Sequence, residues 1–164
     1  MKLAAQAIYR YLDTNGDGTG TKNANGNYAS VADEFYFQAK HACTIERMLI
    51  HIEDTTGMQQ QDYGNIAGGL TNGYSLVAKD KAGVTIMDLM NGVVVKNNGA
   101  IGRTCYDVEL KTWGAGNEAL QARWRFSAAG QPIFLPQGHR LSITFNDDLT
   151  GLLEHYFMLQ GYNV

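Results

Sequence analysis

An all-β fold, an antiparallel β-sandwich of jelly-roll type, is what this sequence predicts, on three observations. The 164 residues include 19 glycines and only 2 prolines, which suits short strands joined by tight turns. Short stretches of alternating or aromatic and β-branched character recur at fairly even spacing, as in sandwiches and barrels. Near the C-terminus Leu141, Ile143 and Phe145 alternate with Arg140, Ser142, Thr144 and Asn146, the period-two pattern of a strand with one buried face.

The elements follow in order. Residues 13–28 are almost wholly Gly, Asn, Asp and Thr. Such a segment has little apolar area to bury, so it reads as a loop or arm that becomes ordered only when an ion, the domain surface or a neighbouring subunit binds it. The expected organisation is an N-terminal segment and arm over residues 1–30 and a sandwich domain over 31–164 that folds without the arm. Residues 34–38 form a short aromatic strand. Residues 44–54 place Met48, Ile50 and Ile52 on one face and Arg47, His51 and Glu53 on the other, with Leu49 marking partial cover of the second face. Further strands are expected at 74–79, 84–88, 93–96, 105–110, 124–126 and 133–135. Turn-forming clusters such as Asp80-Lys81-Ala82-Gly83 and Asn97-Asn98-Gly99 separate them. Residues 117–123 favour a helix of about two turns, and residues 3–12 are a weaker helical candidate. The chain is expected to end in a hairpin, residues 141–145 pairing with 156–162 across the Asn-Asp-Asp-x-Thr-Gly turn.

Composition narrows function. Hydrophobic residues make up 45%, charged ones 18%, and the net charge is −3, ordinary for one domain that buries about 68–70% of its unfolded surface. The 13 basic residues form no run or stripe, so no nucleic-acid partner is expected. No apolar run approaches the ~20 residues that span a bilayer. Met1 to Ala7 begins like a signal peptide, but Gln6, Tyr9 and Arg10 interrupt the apolar core; neither a signal-directed nor a membrane-inserted chain is expected. Cys43 and Cys105 lie outside any C-x-x-C pattern. A single bridge between them stays open, and reduced, buried thiols are the preferred reading.

Three constellations invite chemistry. Asp13-x-Asn15-x-Asp17-Gly18 matches the front half of a calcium loop, where alternate oxygens wrap the ion and Gly allows the turn. The twelfth position is Ala24 instead of a bidentate Glu, so turn chemistry explains these residues better and no cofactor is expected. Pro136-Gln137-Gly138-His139 resembles part of a cupin motif, yet His41, His51, His139 and His155 share no metal-ligand spacing. Glu53-Asp54 and Asp147-Asp148 offer carboxylate pairs for acid–base work, each also accounted for by its place between strand and turn. No nucleophile elbow, P-loop or dinucleotide fingerprint occurs, and an enzyme is not expected. Trp113, in Lys-Thr-Trp-Gly-Ala-Gly, is the aromatic best placed to be exposed, as a sugar platform or an interface anchor.

Several phrases taken together carry a resemblance. They are Arg10-x-Leu12-Asp13-Thr14-x-Gly16-Asp17-Gly18-Thr19-Gly20-Thr21, Ile45-x-Arg47-Met48-Leu49-x-x-Ile52-x-Asp54, Gly69-Leu70-Thr71-Asn72-Gly73, Asn146-Asp147-Asp148-Leu149-Thr150-Gly151 and Gln160-Gly161-Tyr162. In this order they resemble small virion structural proteins of tailed bacteriophages, of the head-decoration or cement type. The resemblance implies a non-enzymatic β-sandwich on the capsid exterior, assembled in the host cytoplasm. Its implied partners are the major capsid protein or a neighbouring virion component, bound in symmetric, homo-oligomeric copies. On the residues themselves, Asn15, Asp17, Lys22, Asn25 and Tyr28 of the arm, with Trp113, are the interface candidates. Two other classes stay open: a calcium-dependent carbohydrate-binding module, using Asp13, Asn15, Asp17 and Trp113, and a cupin-like metal-dependent enzyme.

Overall fold

The structure is a computed structural model that describes residues 6–55, 57–104, 107–113, 116–126 and 132–164. Among the described residues ten strands and one short helix follow one another: β1 (Ala7–Tyr11), β2 (Asp33–Gln38), β3 (Cys43–Thr55), β4 (Leu76–Lys79), β5 (Thr85–Asp88), α1 (Asn98–Thr104), β6 (Asp107–Trp113), β7 (Asn117–Arg125), β8 (Ile133–Leu135), β9 (Arg140–Phe145) and β10 (Glu154–Asn163). They form a six-stranded sheet ordered β1-β10-β3-β7-β6, with β8 also on β3, and a four-stranded sheet ordered β2-β9-β4-β5. All pairings are antiparallel. The two sheets pack together as a β-sandwich.

The pairing is nested. β1 pairs with β10, β2 with β9, β3 with β7, and β4 with β5. The chain is in effect one long hairpin rolled over on itself, the jelly-roll plan. This corrects the expected C-terminal hairpin. β9 and β10 are sequence neighbours that lie in different sheets, and the Asn-Asp-Asp-x-Thr-Gly turn carries the chain from one sheet to the other. Their apolar faces meet across the core instead of lying side by side, as Phe145 and Phe157 do at 5.9 Å between ring centroids. Local turn chemistry cannot tell a hairpin from a sheet-to-sheet crossing.

Two other expectations change. Residues 117–123 are strand, because Leu120, Ala122 and Trp124 alternate inward against the core; burial on a period of two overrides helix propensity. The N-terminal candidate is strand β1, since its backbone completes the edge beside β10. The helix α1 lies at Asn98–Thr104, where a turn was expected, with Ala100 and Ile101 buried. Residues 93–96 contribute only a bridge, Val95 to Tyr74.

On β3 the expected faces hold: Met48, Ile50 and Ile52 are buried in the core. A bulge in the β10–β3 ladder falls between Gln160 and Gly161. A Cβ on Gly161 would lie 1.9 Å from the Thr44 carbonyl oxygen, so only glycine lets the two backbones approach there. Cys43 is a buried free thiol, pushed up to about 11 by burial; Cys105 lies outside the described residues.

Candidate functional site

The polar segment over residues 13–28 lies against its own sandwich. Ala24 is fully buried, and Tyr28 packs edge-on against Phe35. The Ala24 amide donates to the His155 carbonyl at 2.7 Å, the Tyr28 amide to the Asp147 carbonyl at 2.9 Å, and the Leu149 amide to the Gly26 carbonyl at 2.9 Å. The His155 amide in turn donates to Oδ1 of Asn23 at 2.7 Å. Backbone and amide groups do the holding, which is how a segment with little apolar area joins a core.

The latch is a buried chain of rings. His155 Nδ1 lies 2.8 Å from the Ala24 carbonyl oxygen, and its Nε2 lies 2.6 Å from the Tyr63 hydroxyl, itself 3.0 Å from the Tyr74 hydroxyl. A carbonyl only accepts, so Nδ1 carries the proton. Nε2 then accepts from the Tyr63 O–H, whose oxygen accepts from Tyr74. Protonating His155 would make Nε2 a donor and turn the Tyr63 hydrogen toward Tyr74. Complete burial pushes the imidazole down to about 4, so it stays neutral.

The calcium-loop residues serve this segment. Asp13 is buried, and its carboxylate accepts the amides of Asn15, Gly16 and Gly20. Asp17 is exposed and accepts both the amide and the hydroxyl of Thr19, which hold its carboxyl below the usual range. The Asn15 side-chain amide donates to the Thr19 hydroxyl. The oxygens are spent on turn geometry. Of the interface candidates, Asn15, Asp17 and Lys22 face solvent. The Asn25 amide donates to the Leu153 carbonyl at 3.2 Å and Tyr28 joins the core, so both are turned into their own domain. The Trp113 side chain lies outside the described residues. In each of the two carboxylate pairs one member is engaged by backbone amides. Asp54 points inward, accepts the Thr55 and Asn65 amides, and is raised by burial. Asp147 clasps the Thr71, Asn72 and Gly73 amides at 2.8–3.0 Å.

The densest functional geometry is on the outer face of the six-stranded sheet. Cross-strand register aligns Tyr156 of β10, His51 of β3, Gln121 of β7 and Glu109 of β6 in one row. His51 stacks on Tyr156 with ring centroids 4.6 Å apart, and its Nδ1 lies 3.1 Å from the Gln121 amide. Tyr156 meets Tyr11 edge-on, and the Lys22 ammonium sits 4.2 Å above Tyr11 and 5.3 Å above Tyr156, a cation–π arrangement. In the next row Glu154 stands directly opposite Glu53. His51 Nε2 lies 3.7 Å from Glu154 and 3.9 Å from Glu53. Burial holds His51 below its ordinary range, although both glutamates pull the other way. A row further along, Arg47, Leu49, Arg123, Met158 and Gln160 line a shallow hollow.

Sequence reading placed His51 and Glu53 on one face but missed Glu154, Tyr156 and Gln121. Each strand's alternation was readable; which strand lay beside it was not. Of the four histidines, His155 faces the core, His51 lies on the outer face of the sheet and His41 is exposed. Among the described residues, His51, Glu53 and Glu154 form the one group of metal-binding side chains whose ligand atoms converge.

The other sheet presents a different surface. On its outer face Glu34 receives Lys79 at 2.7 Å and Arg140 at 3.1 Å, over a fully buried Ser142. At its end, all four residues of edge strand β5 are exposed, with Ile86 55% and Met87 56% accessible beside Val84 at 59%.

No family model and no curated protein matches the chain. Among solved structures, a CocE/NonD family hydrolase from Staphylococcus aureus aligns over 97% of this chain and 34% of that one, at 12% identity and a TM-score of 0.41. That likeness carries no inference about activity.

Proposed function

We propose that the protein is a non-enzymatic virion structural protein of the head-decoration type, which binds a neighbouring particle subunit through the β5 edge. The observation that carries the reading is β5 itself. An edge strand offers unpaired N–H and C=O groups, and proteins normally guard such edges with charge, proline or cover. Here Ile86 and Met87, with Val84 just before them, are exposed on both faces of a terminal strand. A strand from a neighbour would add to the sheet, gaining ladder hydrogen bonds and pockets for alternate side chains. The resemblance of the turn phrases to phage decoration proteins supplies the partner class: the major capsid protein or an adjacent virion component.

The test is co-sedimentation with particles of the phage that encodes the chain, assembled without it. The wild-type protein should pellet with the particles. The variant Ile86→Lys/Met87→Lys should remain in the supernatant with an unchanged circular dichroism spectrum, since both sites are exposed. Wild-type protein that stays in the supernatant would end the virion reading. Equal binding by the variant would move the interface away from β5.

A further inference from the structure

We propose that His51, Glu53 and Glu154 form a binding site for a divalent first-row transition cation, with Zn²⁺ as the reference ion. The donor set is one imidazole nitrogen and two carboxylates from adjacent strands, a combination that suits borderline cations. A four-coordinate zinc with bonds of about 2.0–2.2 Å sets neighbouring ligand atoms ~3.4 Å apart. The present separations of 3.7 and 3.9 Å are a few tenths wider. They are close to the spacing an ion between them would impose, and the three ligand atoms all lie within 4.8 Å of one another. Glu154, at 51% exposure, is free to close the gap.

Cross-strand register supplies an independent reason. Glu53 and Glu154 are direct partners in the β3–β10 ladder, and like charges directly opposite destabilise a sheet. A cation between them turns that repulsion into attraction. The surroundings already orient the ligands. Asn117 Nδ2 donates to Oε1 of Glu53 at 3.1 Å, leaving Oε2 toward His51. The Gln121 side-chain nitrogen faces Nδ1 at 3.1 Å. Binding an ion at the histidine Nε2 requires this amide to flip, so that its oxygen accepts Nδ1–H and the ring presents the Nε2 lone pair, the outer-shell arrangement typical of histidine ligands. Tyr156 stacking fixes the ring plane. Three protein ligands leave the remaining position to water or to a donor from a bound neighbour.

The test uses the full chain without a polyhistidine tag, stripped with chelator and titrated with ZnCl₂ by calorimetry, with Co²⁺ absorption reporting coordination. One equivalent should bind per chain, and Glu154→Gln should raise Kd at least about tenfold with an unchanged circular dichroism spectrum. His51→Gln should abolish the Co²⁺ band. No saturable one-to-one binding with a Kd below about 100 μM, a binding free energy of roughly −5 to −6 kcal/mol, would overturn the proposal. So would unchanged binding by Glu154→Gln, a half-exposed position that keeps the test valid if His51→Gln does not fold. The result is independent of particle binding.

Discussion

His155 and His51 sit on neighbouring strands, both almost wholly buried, and they do opposite things. His155 points into the sandwich, where every polar atom is matched: Ala24 accepts from one nitrogen and Tyr63 donates to the other. His51 lies on the outer face of the same sheet, under Tyr156, with two carboxylates toward one nitrogen. The comparison teaches that burial alone does not assign a histidine. Near His155 the partners are neutral and hold one tautomer, so the ring is a latch for the N-terminal segment. Near His51 the partners are anionic and partly exposed, so the ring is a donor in a site that can take a cation.

The largest effect should follow from removing what His155 holds. Deleting residues 1–28 takes away β1, the buried Leu12 and Ala24, and the acceptor for Nδ1. The truncated chain should show no cooperative thermal transition by calorimetry. A cooperatively melting product would return the segment to the status of a dispensable arm and break the latch reading.

A middle-sized effect concerns pH. His155 is depressed from 6.5 to about 4 in the fold, so the unfolded chain binds the extra proton first as pH falls. Its contribution is fully present above about 6.5 and is lost as pH drops to about 4, amounting to ~3 kcal/mol. His51 is shifted the same way. Glu34, lowered by Lys79, Ser142 and Arg140 against its burial, also loses stability in acid, below its ordinary range. Asp54 is raised by burial and works in the opposite direction, losing stability as pH rises past the usual carboxylate range. Urea denaturation at pH 7 and pH 4.5, read with NMR titration of the ring signals, should show lower stability at pH 4.5 and a His155 ring that stays neutral above pH 5. A His155 ring that titrates near 6.5 would remove the distinction between the two sites.

The smallest effect should come from His51→Gln in the absence of metal. The ring stacks on Tyr156 and meets the Gln121 amide, contacts whose loss should cost about 1 kcal/mol in urea denaturation. A loss as large as 3 kcal/mol would make His51 a structural residue like His155.

The sequence by itself determined the class and much of the local detail. Alternation gave the inward faces of residues 44–54 and 141–145, and the Asp80-Lys81-Ala82-Gly83 cluster gave its turn, because side-chain parity and positive-φ positions are local properties. It also placed His51 and Glu53 on a common face. Only the tertiary structure decided which strands pair. β10 lies between β1 and β3 and not beside β9, because the choice of sheet depends on burying apolar faces contributed from opposite ends of the chain. The same long-range choice brought Glu154 opposite Glu53, set Gln121 beside His51, and folded residues 13–28 onto the core through backbone hydrogen bonds. Those bonds are made by groups every residue carries, so composition gives no sign of them.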